Sequence, residues 1–377
     1  MEDDIADGTW IIKLPIWEPY GLFKKLTGRR KEEKVNTGLL FDEKKQSFAE
    51  KASLWLRGNL LIPDPRVFWV RPSAKRLAKI CKEIEPDAIV TTGPPHSVHL
   101  IGLKLKKQFP EIKWISDFRD PWADIDYLDT FYASGFARKV QARLEKKVMD
   151  NSNTVLTVSP TWAKELQAKT NTPVTFITNG FDHDDFAGDF SSKPTQDFIL
   201  SHIGIITSYR NPLALWQAIE ELCVENKNFR EKLKVQIIGT FDAGLKRSLE
   251  SFPNVKDKTV ATGYLPHNQV IKKYEESSCL LLLLNNSKNA QGHIPGKFFE
   301  YIASGKPVLA MAPENSDVAG IIQENKIGFA CDFEDKDKVK KAILDIFIDK
   351  VKATETKTAE QYSRKNLTAK LTELLGK

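Results

Sequence analysis

Residues 291–311 read QGHIPGKFFEYIASGKPVLAM, and the fold follows from how this stretch is parsed. Gln291 to Lys297 is a loop with glycines at Gly292 and Gly296. Phe298 to Ser304 reads as a short helix stopped by Gly305, and Pro307 precedes the apolar strand Val308-Leu309-Ala310. Upstream, Cys279 to Leu284 is a continuous apolar run, too short for a buried helix and free of alternation. Strand, glycine loop, helix and strand make a βαβ unit of a parallel sheet. The loop of such a unit stands at the carboxyl end of its strand, where open α/β sheets bind ligands. Backbone N–H groups of the first helical turn point at that spot, backed by a dipole of about half a positive charge. Lys297 adds a full charge, so the loop suits an anion and above all a phosphate.

Glycines in a βα loop also serve plain turns, and Glu300 is what argues for more. A carboxylate one turn past a phosphate loop is badly placed for an anion. It is well placed to accept hydrogen bonds from a sugar, as acidic residues do for ribose in dinucleotide folds. Lys297 on phosphate and Glu300 on ribose describe a nucleotide-sugar pocket.

This stretch resembles the donor-site motif of family 4 (group 1) glycosyltransferases, and more narrowly that of bacterial envelope-polysaccharide enzymes carrying PGKxFEYxASGKP. The resemblance implies the α/β GT-B fold, two Rossmann-like doubly wound domains facing a central cleft. It implies a glycosyltransferase that moves a sugar from a UDP- or GDP-linked donor to a glycan or lipid-linked acceptor. The donor would be a co-substrate, with no cofactor and no metal, and the usual stereochemical outcome is retention. Two alternatives share the pocket: a nucleotide-sugar epimerase of the same fold, and a non-catalytic nucleotide-binding subunit of a transferase complex.

The whole chain agrees with two globular domains. It has 377 residues, more than a single core usually holds. Its 41% hydrophobic and 28% charged content are globular values. Cys81, Cys223, Cys279 and Cys331 are scattered without a CxxC, which reads as reduced thiols in a cytoplasmic protein and not as a zinc site. The longest apolar run is far below the ~20 residues of a membrane span, and Met-Glu-Asp-Asp does not start a signal peptide. The net charge of +6 is uneven. Residues 51–82 carry eight basic side chains against the single acid Asp64, interleaved with Trp55, Phe68 and Trp69. Pro15 to Lys34 likewise mixes Trp17, Tyr20, Leu22 and Phe23 with five Lys and Arg from Lys24 to Lys31. Basic residues beside aromatics suit an anionic membrane, so peripheral contact with the inner face of the plasma membrane is expected. No nucleic-acid motif accompanies the charge.

Before a turn at Asn179-Gly180-Phe181-Asp182, strands are expected at Trp10–Leu14, 88–92, 113–116, 154–158 and 174–177, alternating with helices. The domain boundary falls in the acidic passage after Phe186, giving an acceptor-side domain 1–186 and a nucleotide-sugar domain 187–356. A last helix over 357–377 would cross back to the first domain, as it tends to in GT-B proteins. Relatives begin with a strand, a glycine-rich loop and a helix, a form that residues 1–90 lack. The first domain is therefore expected to be shortened at its N-terminus.

In the second domain HIGIITSYRNP (202–212) resembles the family's phosphate loop, with Gly204 for close approach and Arg210 to hold a diphosphate bidentately. In the first, GPPHS offers His96 for the sugar or its phosphate. DFRDPW offers Asp117 or Asp120 as a base, with Arg119 between them. A purely local role, Asp120-Pro121 as a cap and Arg119 as its partner, fits the same letters. Asp124-Ile125-Asp126 spells D-x-D, but it follows a turn and GT-B enzymes do not need it, so no metal is placed there. The family's E-x7-E pattern is met only by Glu300. Its first position is Gly292, and the neighbouring His293 is the candidate for the missing sugar contact.

Overall fold

The computed structural model describes residues 8–17, 48–125, 127–186, 196–207, 210–349 and 359–376. These fall into two compact units. The first holds the described residues up to Leu156 together with Gln167–Val174, and the second holds Thr157–Leu166 and the described residues from Thr175 onward.

The first unit is built around a four-stranded sheet of order β1-β2-β3-β4, formed by β1 (Ala88–Gly93), β2 (Lys113–Phe118), β3 (Thr154–Thr157) and β4 (Val174–Phe176). β1 and β2 run parallel with Thr92 opposite Asp117 and Gly93 opposite Phe118. Helix α1 (Phe48–Asn59) precedes α2 (Val70–Ile84), and α3 (Ser97–Gln108) follows β1. Ala74, Ala78 and Cys81 of α2 pack with Ile101 and Leu105 of α3. The small side chains let the two helices approach closely, while the opposite face of α2 is left to lysines and arginines. Helix α4 (Gly135–Asn151) begins at Ser134, whose hydroxyl accepts from Ala137 N.

The expected strand at Trp10–Leu14 does not form. Residues 10–14 have no regular structure, and Trp10 is 77% exposed. Four strands and not five therefore stand before the turn at 179–182 among the described residues. A five-residue run interrupted by Lys13 carries too little information to fix a strand.

The second unit holds a six-stranded parallel sheet of order β10-β9-β8-β5-β6-β7. Its strands are β5 (Phe198–Ile203), β6 (Leu233–Ile238), β7 (Thr259–Thr262), β8 (Cys279–Leu283), β9 (Val308–Met311) and β10 (Gly328–Cys331). The chain winds outward from β5 through β6 to β7, returns to β8 beside β5, and winds the other way. The order therefore reverses between β5 and β8, the switch point at which doubly wound sheets leave a crevice. Residues along β8 alternate between two cores: Leu281 and Leu283 pack with Leu215, Ile219 and Val235 on one face, Leu280 and Leu282 with Phe298, Ile302 and Val318 on the other. Both faces being covered, every position is apolar, which is why the run shows no alternation.

Residues 359–376 belong to this unit, and their last helix runs over Arg364–Leu375. They meet the chain at the turn: Phe181 N donates to Tyr362 O and Arg364 N to Phe181 O, at 3.2 and 2.9 Å.

Candidate functional site: a cationic crevice at the switch point

The two strands that flank the switch point each end in one of the loops singled out by sequence. At the end of β5 the chain turns at Gly204 with φ +131°. Gly204 N donates to Ile238 O at 2.8 Å. The helices α5 (Pro160–Gln167), α6 (Leu213–Glu225), α7 (Lys227–Lys232), α8 (Ala243–Leu249), α9 (Pro253–Lys258) and α10 (His267–Glu276) come first, and after β8 the chain leads to α11 (Gly296–Ala303). It starts two residues earlier than the sequence suggests, which puts Lys297 inside its first turn. Two hydrogen bonds pin this helix to the end of β5. Lys297 Nζ donates to Ile203 O at 2.7 Å, and Ile203 N donates to the Tyr301 hydroxyl at 3.3 Å. A Cβ at Gly204 would stand 3.1 Å from Lys297 Nζ, so the glycine makes room for the ammonium group.

Arg210 joins from the same side: its Nε donates to Asn285 Oδ1, in the loop after β8. Glu300, one turn along α11, accepts from the Tyr274 hydroxyl of α10 at 2.6 Å. His202, fully buried on β5, has Nδ1 2.9 Å from Leu281 O, while its Nε2 has no partner.

The charges explain what this crevice wants. Burial, then the Arg210 charge, pulls the Lys297 ammonium down to about 7, with Glu300 acting in the opposite direction. Burial lowers Arg210 as well. His293 is brought down to about 4 by burial and by the same two cations, and His202 falls well below its ordinary value by burial and the Lys297 charge. Two partly desolvated cations next to two neutral imidazoles are electrostatically uncomfortable alone, and a bound anion relieves them. The structure thus brings Gly204, Arg210, Gly296, Lys297 and Glu300 together as the sequence suggested. His202, Tyr274, Asn285 and Tyr301 join them unannounced. His202 and Tyr301 lie within the two motifs; Tyr274 and Asn285 lie outside them and reach Glu300 and Arg210 from 26 and 75 residues away.

Gly292 accounts for the missing first glutamate. A Cβ there would lie 2.3 Å from Trp162 Cδ1, so no side chain fits on this backbone. His293 presents its ring parallel to Trp162, with centroids 6.2 Å apart.

In the first unit, β1 and β2 carry the second group of candidates at their carboxyl ends. Arg119 N donates to Gly93 O at 3.0 Å, tying the DFRDPW segment to the GPPHS loop. Asp117 lies on β2 itself and not in the following loop, because β2 extends to Phe118. Burial raises the Asp117 carboxyl to about 6 against the opposing effects of Arg119 and of a hydrogen bond from Thr92. Asp120 is raised by burial too, again opposed by Arg119. The His96 ring lies flat on Trp122, centroids 5.0 Å apart, and burial brings it to about 4. His96, Asp117, Arg119 and Asp120 are thus neighbours, with a neutral imidazole and a carboxyl that titrates near neutrality, properties suited to hydrogen bonding and proton transfer. Of the D-x-D tripeptide, Asp124 is paired with Lys169 at 2.5 Å and Asp126 lies outside the described residues.

Removing the Tyr274 hydroxyl should leave Glu300 without its anchor. Tyr274→Phe is expected to raise the donor KM about tenfold with kcat nearly unchanged, since hydrogen bonds to charged groups are worth about 1.5–3 kcal/mol. Steady-state kinetics decide it: an unaltered KM would mean that Glu300 holds its place unaided.

Residues 185–366 match the family model for glycosyl transferases group 1, and residues 38–185 match that for glycosyltransferase family 4. Together the two matches span most of the chain, which belongs to the group 1, family 4 glycosyltransferases and is a transferase of GT-B fold. No curated protein matches it in sequence. The sucrose-phosphate synthase of Thermosynechococcus elongatus is similar in structure at 15% identity and TM-score 0.59, over 82% of this chain and 77% of that one. Anabaena HepE, solved with UDP-glucose, is similar at 13% identity and TM-score 0.59, over 83% of this chain and 82% of its own. A putative UDP-N-acetylglucosamine 2-epimerase from Listeria monocytogenes shares the fold at 11% identity and TM-score 0.50, over 82% and 78% of the two chains. At such identities the likeness is one of fold.

Proposed function

We propose that the chain transfers a sugar from a UDP- or GDP-linked donor to a bacterial envelope glycan carried on a lipid. Transfer proceeds with retention and needs neither a metal ion nor another cofactor. The observation that carries this reading is that Arg210 and Lys297 both stand at the switch point beside the Gly204 turn, close enough for each charge to act on the other. Departure of a nucleoside diphosphate builds negative charge on the leaving oxygen, and fixed positive charge is what lowers that barrier. Gly204, Arg210, Gly296 and Lys297 receive the diphosphate, Glu300 the ribose and His293 the sugar. We assign the segment up to residue 186 to the acceptor side, with Asp117 or Asp120 as base, Arg119 orienting them and His96 on the sugar or its phosphate. Residues 187–356 form the donor side. Work on a lipid-linked acceptor places the protein at the inner face of the plasma membrane as a peripheral protein.

A thermal-shift panel of UDP-, GDP- and CMP-sugars, run with and without EDTA, tests this. A ligand at 100 times its dissociation constant adds about 2.7 kcal/mol, or roughly 5–10 °C for a domain of this size. One UDP- or GDP-sugar should give that shift regardless of EDTA. No shift with any nucleotide sugar sinks the donor site, and an EDTA-sensitive shift sinks metal independence. Donor incubated without acceptor should come back unchanged; an altered sugar would make the protein an epimerase.

A further inference from the structure

The strongest concentration of charge in the first unit lies away from the candidate residues. A groove of about 610 Å³ runs between α2 and α3, lined by Arg71, Lys75, Lys79 and Lys82 from one helix and Lys104 and Lys107 from the other. All six cations are exposed, and no acidic side chain lines the groove. On α2 the spacing of four, four and three residues keeps the four cations on one face, a row about 16 Å long. One turn before Arg71, at the head of the same row, Phe68 is 49% exposed. It makes an edge-on contact with Trp17, itself 63% exposed, at 4.9 Å between ring centroids. Two large rings left half in water at the end of a six-cation groove combine the two properties of an interfacial surface: basic groups for headgroup phosphates and aromatic rings for the boundary with the acyl chains. A soluble polyanion would use the charges and gain nothing from the rings.

We infer that this α2–α3 face is the surface that docks on an anionic lipid bilayer, with Phe68 and Trp17 entering the interface and the six cations holding lipid phosphates. The inference deepens the peripheral-membrane part of the proposed function and rests on it. Each cation is worth about fivefold in partition at low salt. The attraction should fade when the screening length shrinks.

The test is co-sedimentation of the full chain with vesicles of 70% phosphatidylcholine and 30% phosphatidylglycerol, at 50 and 500 mM NaCl. Wild type should bind at low salt, bind poorly at high salt, and ignore pure phosphatidylcholine. Lys75→Ala/Lys79→Ala/Lys82→Ala should weaken binding about 100-fold, Lys104→Ala/Lys107→Ala about 25-fold and Phe68→Ala severalfold. Lys227→Ala/Lys232→Ala in the second unit should bind as wild type. All substituted lysines are exposed, and a thermal melt checks that each variant is folded. If wild type binds vesicles but both lysine variants bind equally well, peripheral contact stands and this face is not its seat. If wild type does not bind, the peripheral reading falls with it. If short-chain polyphosphate binds as tightly as vesicles and Phe68→Ala changes nothing, the groove holds a soluble polyanion and the inference is overturned.

Discussion

Lys297→Met is expected to lower kcat/KM for sugar transfer by two to three orders of magnitude. A fixed positive donor aimed at developing negative charge is worth about 3–4 kcal/mol by analogy with oxyanion holes, and Lys297 holds the first turn of the helix that closes the crevice. The same lysine should also make donor binding consume protons. Its free-protein value is held near 7 by burial and by Arg210, and a bound diphosphate favours the charged form and raises it. At pH 6 the ammonium is already protonated and binding takes up almost nothing. Near pH 8.5 it is mostly neutral, and binding should take up close to one proton. Donor affinity therefore falls as pH rises through 7. His202 and His293 are neutral throughout this range, being held far below it. Calorimetry of a UDP- or GDP-sugar in buffers of different ionisation enthalpy measures the uptake. Lys297→Arg should bind the donor without it. Unchanged uptake in that variant would assign the proton to another group.

Lys297 has a folded-state value below its unfolded one, so the unfolded chain binds the extra proton between pH 7 and about 10. Its burial thus costs the ligand-free protein stability below pH 7, and Lys297→Met should melt higher there while losing the donor. A residue that weakens the apo fold but serves the ligand is the usual trade-off at a functional site.

The donor half of the protein was easy to read because its signals are local. β8 is apolar at every position since both its faces are covered, and α11 carries Gly296, Lys297 and Glu300 within five residues of one another. What escaped was either short or brought in from far away. β7 is an exposed edge strand of four residues, and β10 is equally brief, so neither shows a period. The helices Lys227–Lys232 and Pro253–Lys258 span less than two turns each. Tyr274 reads as an ordinary core residue of an amphipathic helix, and only the packing of α10 against α11 reveals that its hydroxyl holds Glu300. His202 looks like one more residue of a buried strand until β8 pairs beside it. By sequence Asp117 falls in a loop, because an aspartate ends most strand patterns. Here Thr92 on the neighbouring strand keeps the ladder running past it.

Gly239→Ala is expected to be the most damaging single-methyl change near the crevice. Gly239 follows β6 with φ +131°, a conformation that costs a residue with a Cβ roughly 1–3 kcal/mol. Its added Cβ would stand 2.3 Å from the carbonyl oxygen of Gly204 and 2.9 Å from its carbonyl carbon. Both are backbone atoms, so the clash is relieved only by moving the turn that frames the crevice. Strain and displacement together should cost about 3–5 kcal/mol, near the upper end for point changes, and lower Tm by roughly 10 °C. Because the displaced atoms belong to Gly204, and Lys297 bonds to the preceding carbonyl, donor binding should suffer beyond the loss of stability. The donor-induced thermal shift is expected to vanish even at temperatures where the variant is folded. Gly263→Ala is the matched control, since nothing lies within 4 Å of a Cβ there. Should the two variants melt together and respond equally to the donor, the Gly204 turn is not held by close packing against Gly239, and the preorganised crevice loses its structural basis.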